Sequence, residues 1–234
     1  MTSTDDLLFK ARHISQNRIP KVDYHLHTSW TDGNDTVEAM YNAAVAAGLE
    51  RIVFSEHVRK TSAEWFPDFS AEVKSVSGGH CQALIGAECK IIDFDGTLDI
   101  AAETARSCDI IIASVHRFPN ETSVTLSQEE LIDIELRLAC LIAENPMVDI
   151  LGHPFGMCYR RFNIEPAETK IRQLIEKCAE TGVAFEINAQ YHRVPWKLLS
   201  LCMEYNALVS LGSDAHTVGT VGNIVQLLKG KELL

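Results

Sequence analysis

Residues 24–33 read YHLHTSWTDG, a short segment in which two imidazoles and one carboxylate occur where a strand-like run ends. His25 and His27 are separated by one residue, and Asp32 follows five positions after His27. Side chains of an extended strand alternate between its two faces, so His25 and His27 point to the same side. Asp32 falls on the loop beyond, from which its carboxylate can reach back. The segment therefore predicts a polar site at the C-terminal end of the first strand of a repeating pattern.

That pattern is an alternation of apolar, β-branched runs with helix-like runs. The predicted strands are residues 21–26, 51–55, 81–87, 110–114, 148–151, 183–187 and 208–211. The predicted helices are residues 36–47, 68–76, 98–107, 128–143, 166–180, 195–205 and 218–229. Such alternation favours a parallel sheet, and a chain of 234 residues suits a closed or nearly closed barrel. An open, doubly wound sheet is the alternative, although no GxGxxG or Walker-type loop follows the first strand.

Composition limits the classes of protein that the chain can belong to. The formal net charge of −11 and the lack of a basic block make nucleic-acid binding an unlikely role. No apolar run is long enough to span a membrane, and the N-terminus does not resemble a signal peptide, so we expect a cytoplasmic protein. The seven cysteines include no CxxC pair, which predicts reduced, mostly buried thiols. We divide the chain into an N-terminal extension, residues 1–20, and one domain, residues 21–234.

Side chains that can bind metal follow six of the seven predicted strands. They are His25, His27, Asp32, His57, Glu88, His116, His153, Asp214 and His216. In a (β/α) barrel the C-terminal ends of the strands converge on one face, so these distant residues should meet there. With about three or four protein ligands per ion, and with carboxylates able to bridge, the set would supply two or three divalent ions. Mixed nitrogen and oxygen ligands suit Zn, Mn or Fe.

Taken in order, the motifs HLHTSWTDG, SEH, GAE, SVH, GHP and GSDAH resemble those of the PHP (polymerase and histidinol phosphatase) domain family across residues 22–228. The resemblance implies a distorted TIM-like (β/α)7 barrel with a trinuclear metal centre. One ion would be held by His25, His27, Glu88 and Asp214, a second by Glu88, His116 and His153, and a third by Asp32, His57 and His216. The second motif departs from the family's usual Asp-His pair, because Glu56 precedes His57. We expect Glu56 to orient an imidazole rather than to bind metal.

The resemblance further implies a metal-dependent phosphoesterase that acts on a small phosphorylated metabolite, a phosphomonoester more than a diester. A metal-bridging hydroxide would attack phosphorus, with His25, His27, Glu88 and Asp214 as the catalytic ligands. Guanidinium groups match phosphate geometry, so we expect the substrate to contact Arg193, Arg117 and Arg161, with His192 beside them. Two alternatives stay open, a non-catalytic metal-binding module and a C–N hydrolase similar to the amidohydrolases. The oligomeric partner is left open by the sequence.

Overall fold

The fold is built on one eight-stranded β-sheet. This computed structural model describes residues 7–15, 17–119 and 126–229. The strands are β1 (Phe9–Lys10), β2 (Val22–Leu26), β3 (Arg51–His57), β4 (Gln82–Lys90), β5 (Ile110–Ser114), β6 (Ile150–Leu151), β7 (Ala184–Asn188) and β8 (Leu208–Gly212). The helices are α1 (Val37–Ala46), α2 (Phe66–Val76), α3 (Ala102–Arg106), α4 (Gln128–Ala143), α5 (Glu168–Thr181), α6 (Pro195–Glu204) and α7 (Asn223–Leu228). Short 3-10 turns cover Ala11–His13, Lys60–Glu64 and Val218–Thr220, and a π-helical turn covers Met157–Arg161.

Strands β2 to β8 pair in parallel and in sequence order, and the sheet curls until its ends approach each other. An isolated parallel bridge joins Leu26, at the end of β2, to Ala215, just beyond β8. Its hydrogen bonds run from His27 N to Ala215 O at 2.9 Å and from Ala215 N to His25 O at 3.0 Å. The predicted α/β class and distorted TIM-like (β/α)7 barrel are therefore confirmed, and the seam of the barrel lies beside the first histidine pair.

Local sequence explains where the longer helices begin and end. The Thr36 hydroxyl accepts a hydrogen bond from Ala39 N at 3.2 Å and begins α1, and Ser127 forms a capping box with Glu130 at the start of α4. Helix α5 ends at Gly182, whose φ of +81° is the left-handed conformation that glycine adopts without steric cost. The helices cover strands that are buried on both faces, as parallel strands in α/β proteins are.

Most predicted elements agree with the structure to within three residues at each end, but two helices do not. The predicted helix at residues 98–107 is reduced to α3, because Leu98 forms an antiparallel bridge with Ile91 and the chain between them turns. The predicted helix at residues 218–229 is interrupted by Gly222, whose φ is +77°, and only α7 follows it.

The N-terminal segment contributes an element that the sequence analysis did not predict. Strand β1, within residues 1–20, pairs antiparallel with β8, and Ala11 N donates to Ala207 O at 2.9 Å. Residues 1–6 and 16 of the predicted extension and residues 120–125 and 230–234 of the predicted domain lie outside the described residues. The division at residue 20 stays a prediction.

The cysteines and the helices of the described residues can be compared with what the composition indicated. All seven cysteines are free, and five of them are buried, as predicted for reduced thiols. None of the helices in this part of the chain is both long and apolar enough to cross a membrane.

A buried carboxylate on β2 fastens the two ends of the barrel together. Asp23 is fully buried, and its two oxygens accept hydrogen bonds from Ser213 N and Gly222 N, each at 2.8 Å. Burial raises the pKa of Asp23 to about 6, although the hydrogen bonds to Ser213, Gly222 and His25 oppose that rise. The first parallel strand is thereby tied to the chain that follows the last one.

We expect Asp23→Ala to lower the free energy of unfolding by about 3 kcal/mol, because two buried N–H groups would lose their acceptor. Urea unfolding at matched metal content measures this change. The control is Asp133→Ala, which breaks an exposed ion pair to Lys170 and should cost less than about 1 kcal/mol. Equal losses in the two variants would contradict a fastening role for Asp23.

Candidate metal centre

The carboxylate of Glu88 lies at the centre of a ring of imidazoles. Glu88 occupies β4 next to its C-terminal end and is 1% exposed. Its oxygens lie 2.9 Å from His57 Nδ1, 3.0 Å from His153 Nε2, 3.2 Å from His116 Nε2, 3.4 Å from His25 Nε2 and 3.6 Å from His27 Nε2. Glu88 itself belongs to β4. The five histidines around it lie on, or just after, the four strands β2, β3, β5 and β6.

Two further carboxylates complete the group. Asp214 Oδ1 lies 3.3 Å from His27 Nε2 and 3.9 Å from His25 Nε2. Asp32 Oδ2 lies 3.3 Å from His57 Nε2 and 3.5 Å from His216 Nε2. The structure therefore brings together all nine side chains that the sequence analysis proposed as metal ligands.

The donor atoms fit divalent cations. Three groups each offer ligand atoms that lie within 4.8 Å of one another. These are His27, Asp32, His57 and His216; His25, His27 and Glu88; and His57, Glu88 and His116. Within the described residues, His25 Nε2, both ring nitrogens of His27 and His153 Nδ1 are buried without a hydrogen-bond partner. Buried polar atoms without a partner are costly, and cations at these positions would satisfy those that face the carboxylates.

The pKa values of the clustered side chains are set by two opposing effects, namely burial and the charges of neighbouring groups. Burial opposes the charge on His57, but its hydrogen bond to Glu88 and the charge of Asp32 outweigh burial and raise its pKa to about 9. Burial dominates at His27 and lowers its pKa to about 4. Burial also opposes ionisation of Glu88, yet His116 and His25 hold its pKa well below the usual range. The carboxylates therefore stay ionised and available to a cation.

Two of the nine side chains stand on backbone that only glycine adopts easily. His153 has a φ of +34° and Asp214 a φ of +52°. Non-glycine residues with positive φ are uncommon, and such strained positions cluster at functional sites. His153 follows the two-residue strand β6, and Asp214 follows β8.

A carboxylate that the sequence analysis missed supports two of the histidines. Glu186 on β7 is fully buried, its Oε1 lies 2.7 Å from His25 Nδ1, and its Oε2 accepts the His153 backbone N–H. This contact orients His25 so that Nε2 faces Glu88. Space for the carboxylate depends on Gly212, because a Cβ there would lie 2.0 Å from Glu186 Oε1. The available signal was a lone acid inside the apolar strand AFEIN.

Glu56 does not orient an imidazole, contrary to our expectation. Its carboxylate accepts hydrogen bonds from Thr28 N at 2.8 Å and from the Thr31 hydroxyl. Neighbouring side chains on a strand point to opposite faces, so Glu56 diverges from His57. Burial raises the pKa of Glu56 to about 7 although the bonds from Thr31 and Thr28 oppose it. Its role is to hold the loop that carries Asp32.

The side chains proposed to bind the substrate's phosphate are not brought to the cluster. A cavity of about 650 Å³ opens above the nine side chains, and none of the four proposed residues lines it. Arg193 is about half exposed and bonds to Asn163 with Glu165 nearby at 3.6 Å. Arg117 and Arg161 are exposed, and Arg161 lies over the Phe162 ring at 5.7 Å. The cations that do line the cavity are Arg59 and Lys90.

His192 turns into the protein because of the turn that follows β7. The Asn188 side-chain oxygen accepts hydrogen bonds from Gln190 N at 2.9 Å and Tyr191 N at 3.1 Å, which fixes a tight turn. His192 Nδ1 then accepts from Asn188 N, and its Nε2 lies 3.1 Å from Pro154 O, so both ring nitrogens contact the backbone. Gln190 and Tyr191 line the cavity in its place, and the Tyr191 ring stacks on His153 at 4.2 Å.

The amino-acid sequence is similar to one protein family and to several known proteins. The model of the family described as PHP domain matches residues 23–190, a range that holds seven of the nine clustered side chains but not Asp214 or His216. A probable phosphatase of Clostridium novyi (strain NT) is 27% identical over 216 residues, covering 86% of this chain and 81% of that protein. The DNA polymerase/3'-5' exonuclease PolX of Bacillus subtilis (strain 168) is 29% identical over 209 residues, covering 85% of this chain but 34% of that protein.

A chain in the cryo-EM structure of archaeal ribonuclease P with mature tRNA superposes with a TM-score of 0.48 at 16% identity, over 82% of this chain and 74% of that chain. This likeness is too slight to support an argument about function.

We expect Glu186→Gln to weaken metal binding by about 10–100-fold, because His25 loses the anionic partner that orients it. Equilibrium dialysis against Zn or Mn measures the affinity without reference to activity. Glu204→Gln is the control, since it removes an equal charge from an exposed ion pair to Arg172. Metal affinity that is the same in both variants would show that Glu186 does not position His25.

Proposed function

Since this chain belongs to the PHP domain family, we propose that it hydrolyses the phosphoric ester of a small phosphorylated metabolite with the help of divalent cations. The observation that carries the proposal is the burial of Glu88 among five imidazole nitrogens, beside two more carboxylates. Relatives named as probable phosphatases support a phosphomonoester as the substrate. The PolX relative carries an exonuclease name, so a phosphodiester belongs among the compounds to be tested.

The clustered residues would divide among two or three ions of Zn, Mn or Fe. His25, His27, Glu88 and Asp214 would hold one, Glu88 with His116 and His153 a second, and Asp32 with His57 and His216 a third. When bound, such cations lower the pKa of coordinated water to about 7 and neutralise negative charge on phosphoryl oxygens. The mutual distances among Glu88, His116 and His153, all between 3.0 and 3.3 Å, support the second set.

The chain's own residues prepare the site in three ways. The Ser114 hydroxyl donates a hydrogen bond to Glu88 Oε1 at 2.7 Å. This bond restrains the carboxylate that the first two proposed sets of ligands share. Glu186 and Tyr191 fix the rings of His25 and His153 from outside the cluster. The Gln190 amide reaches Asp214 Oδ2 at 3.5 Å. Side chains held in this way need little rearrangement when substrate binds, which is what precise orientation of a phosphoryl group requires.

The test compares His25→Ala with the wild-type protein after purification without chelator and addition of Mn. We expect the wild type to hydrolyse p-nitrophenyl phosphate. We expect His25→Ala to lower this activity by more than the roughly 10–100-fold that follows when a metal ligand loses its hydrogen-bond partner, because His25→Ala removes the ligand itself. Metal content should fall in parallel. His80→Ala is the control, because His80 is exposed and precedes β4, near whose other end Glu88 lies.

The other substrates separate the competing functions. Turnover of bis(p-nitrophenyl) phosphate without turnover of the monoester would reverse the proposed preference. Full metal content with no hydrolysis of either ester would point to a non-catalytic metal-binding module. Cleavage of p-nitroacetanilide alone would point to a C–N hydrolase.

A further inference from the structure

Lys90 projects into the mouth of the cavity from the same face of β4 as Glu88. The strand ends in the residues GAECK, and alternation places Glu88 and Lys90 on one face and the buried Ala87 and Cys89 on the other. Both Glu88 and Lys90 line the cavity of about 650 Å³. Lys90 therefore lies two residues beyond Glu88 on the same face, at the last position of β4.

A second cation lines the same cavity, on a loop that Asp99 connects to the end of β4. Arg59 follows β3 and lines the same cavity, and its N–H donates to Ser62 Oγ at 2.9 Å. The next residue, Lys60, donates its N–H to Asp99 Oδ1 at 3.0 Å, while Asp99 Oδ2 lies 3.6 Å from Lys90 Nζ. Asp99 thus connects the loop that carries Arg59 to the end of β4. We call Arg59 and Lys90 the cationic wall.

The cationic wall is separate from the clustered side chains. Neither Arg59 nor Lys90 is one of the nine clustered side chains, and a guanidinium or ammonium group has no lone pair to offer a metal ion. Lys90 Nζ pairs with Asp99 Oδ2 at 3.6 Å. Trp65 also lines the cavity, and its ring stacks on Trp30 at 5.9 Å, which fixes the indole as a flat apolar surface. A cavity of this volume holds a molecule much larger than one phosphoryl group.

We propose that the cationic wall binds a second anionic group of the substrate, so that the preferred substrates are phosphoesters with a carboxylate or another phosphate on the leaving group. This inference rests on the proposed phosphoesterase function. The scissile phosphoryl group lies over the nine clustered side chains, the organic part lies along Trp65, and the distant anion reaches Lys90 and Arg59. Charged hydrogen bonds from an ammonium and a guanidinium group select the anion.

The test uses substrates that differ only in the second anion. Phenyl phosphate is compared with 3- and 4-carboxyphenyl phosphate on the Mn-loaded full chain. We expect the wild type to prefer at least one carboxylated ester by about tenfold in kcat/KM, and Lys90→Met to bring that ratio near one. Lys90→Arg should retain the preference. Lys21→Met should retain it too, because Lys21 precedes β2 at the opposite end of the barrel and pairs with Glu50.

Binding of phosphonates separates this inference from the proposed function. Calorimetric titration with phenylphosphonate and 4-carboxyphenylphosphonate measures the same preference without turnover, so a wall can be detected even in a protein that hydrolyses neither ester. Equal affinity for the two phosphonates, or equal kcat/KM for all esters, overturns the inference and leaves the phosphoesterase proposal standing. A uniform loss for all esters in Lys90→Met also overturns it, because Lys90 would then contact the scissile phosphoryl group.

Metal content and thermal unfolding of each variant show whether it is folded and loaded. Arg59→Met provides an independent variant, because Arg59 is exposed and its removal leaves the Lys90–Asp99 pair in place. We expect it to reduce the same preference. A full preference in both Arg59→Met and Lys90→Met excludes the cationic wall.

Discussion

The burial of one carboxylate among several imidazoles is the constraint on which the rest of the structure depends. Glu88 is almost fully enclosed, and burial of a charge is tolerated only when partners compensate it. Those partners come from residues 25 to 153 of the chain, so the sheet must deliver their strands in register around one rim. Parallel strands with consecutive order meet this requirement, because all of their C-terminal ends open on the same side.

The ligand cluster could be predicted from sequence because it depends on topology and strand period rather than on fine geometry. Once seven strands were recognised, the polar residues after them had to share a rim, and the spacing of His25 and His27 indicated a common face. The same reasoning applied to Glu88 and Lys90 would have placed the lysine at the cavity. Acids inside apolar strands were a weaker signal, because Asp23 and Glu186 could be interpreted only when their partners on other strands were known.

Contacts beyond the strand ends could not be predicted, because they depend on how individual loops turn. Residues 189–193 follow β7 directly, yet the side chain of Asn188, the last residue of β7, bends the backbone so that Gln190 and Tyr191 face the cavity. Residues 157–161 form a π-helical turn rather than an open loop, and Arg161 stays at the surface. The position of a residue directly after a strand therefore predicted correctly which side chains gather at the rim of the barrel. For residues a few positions farther along the chain, such as Arg161 and Arg193, the same reasoning did not predict where the side chain lies.

The seam between Leu26 and Ala215 has a consequence for the order in which the molecule is made. The bridge joins residues that are separated by most of the chain, and the clustered carboxylate Asp214 and imidazole His216 flank it. During synthesis the histidines of β2 emerge early but stay without these partners until β8 has left the ribosome. The full group of nine side chains can therefore assemble only after the two ends of the barrel have met, late in the maturation of the chain.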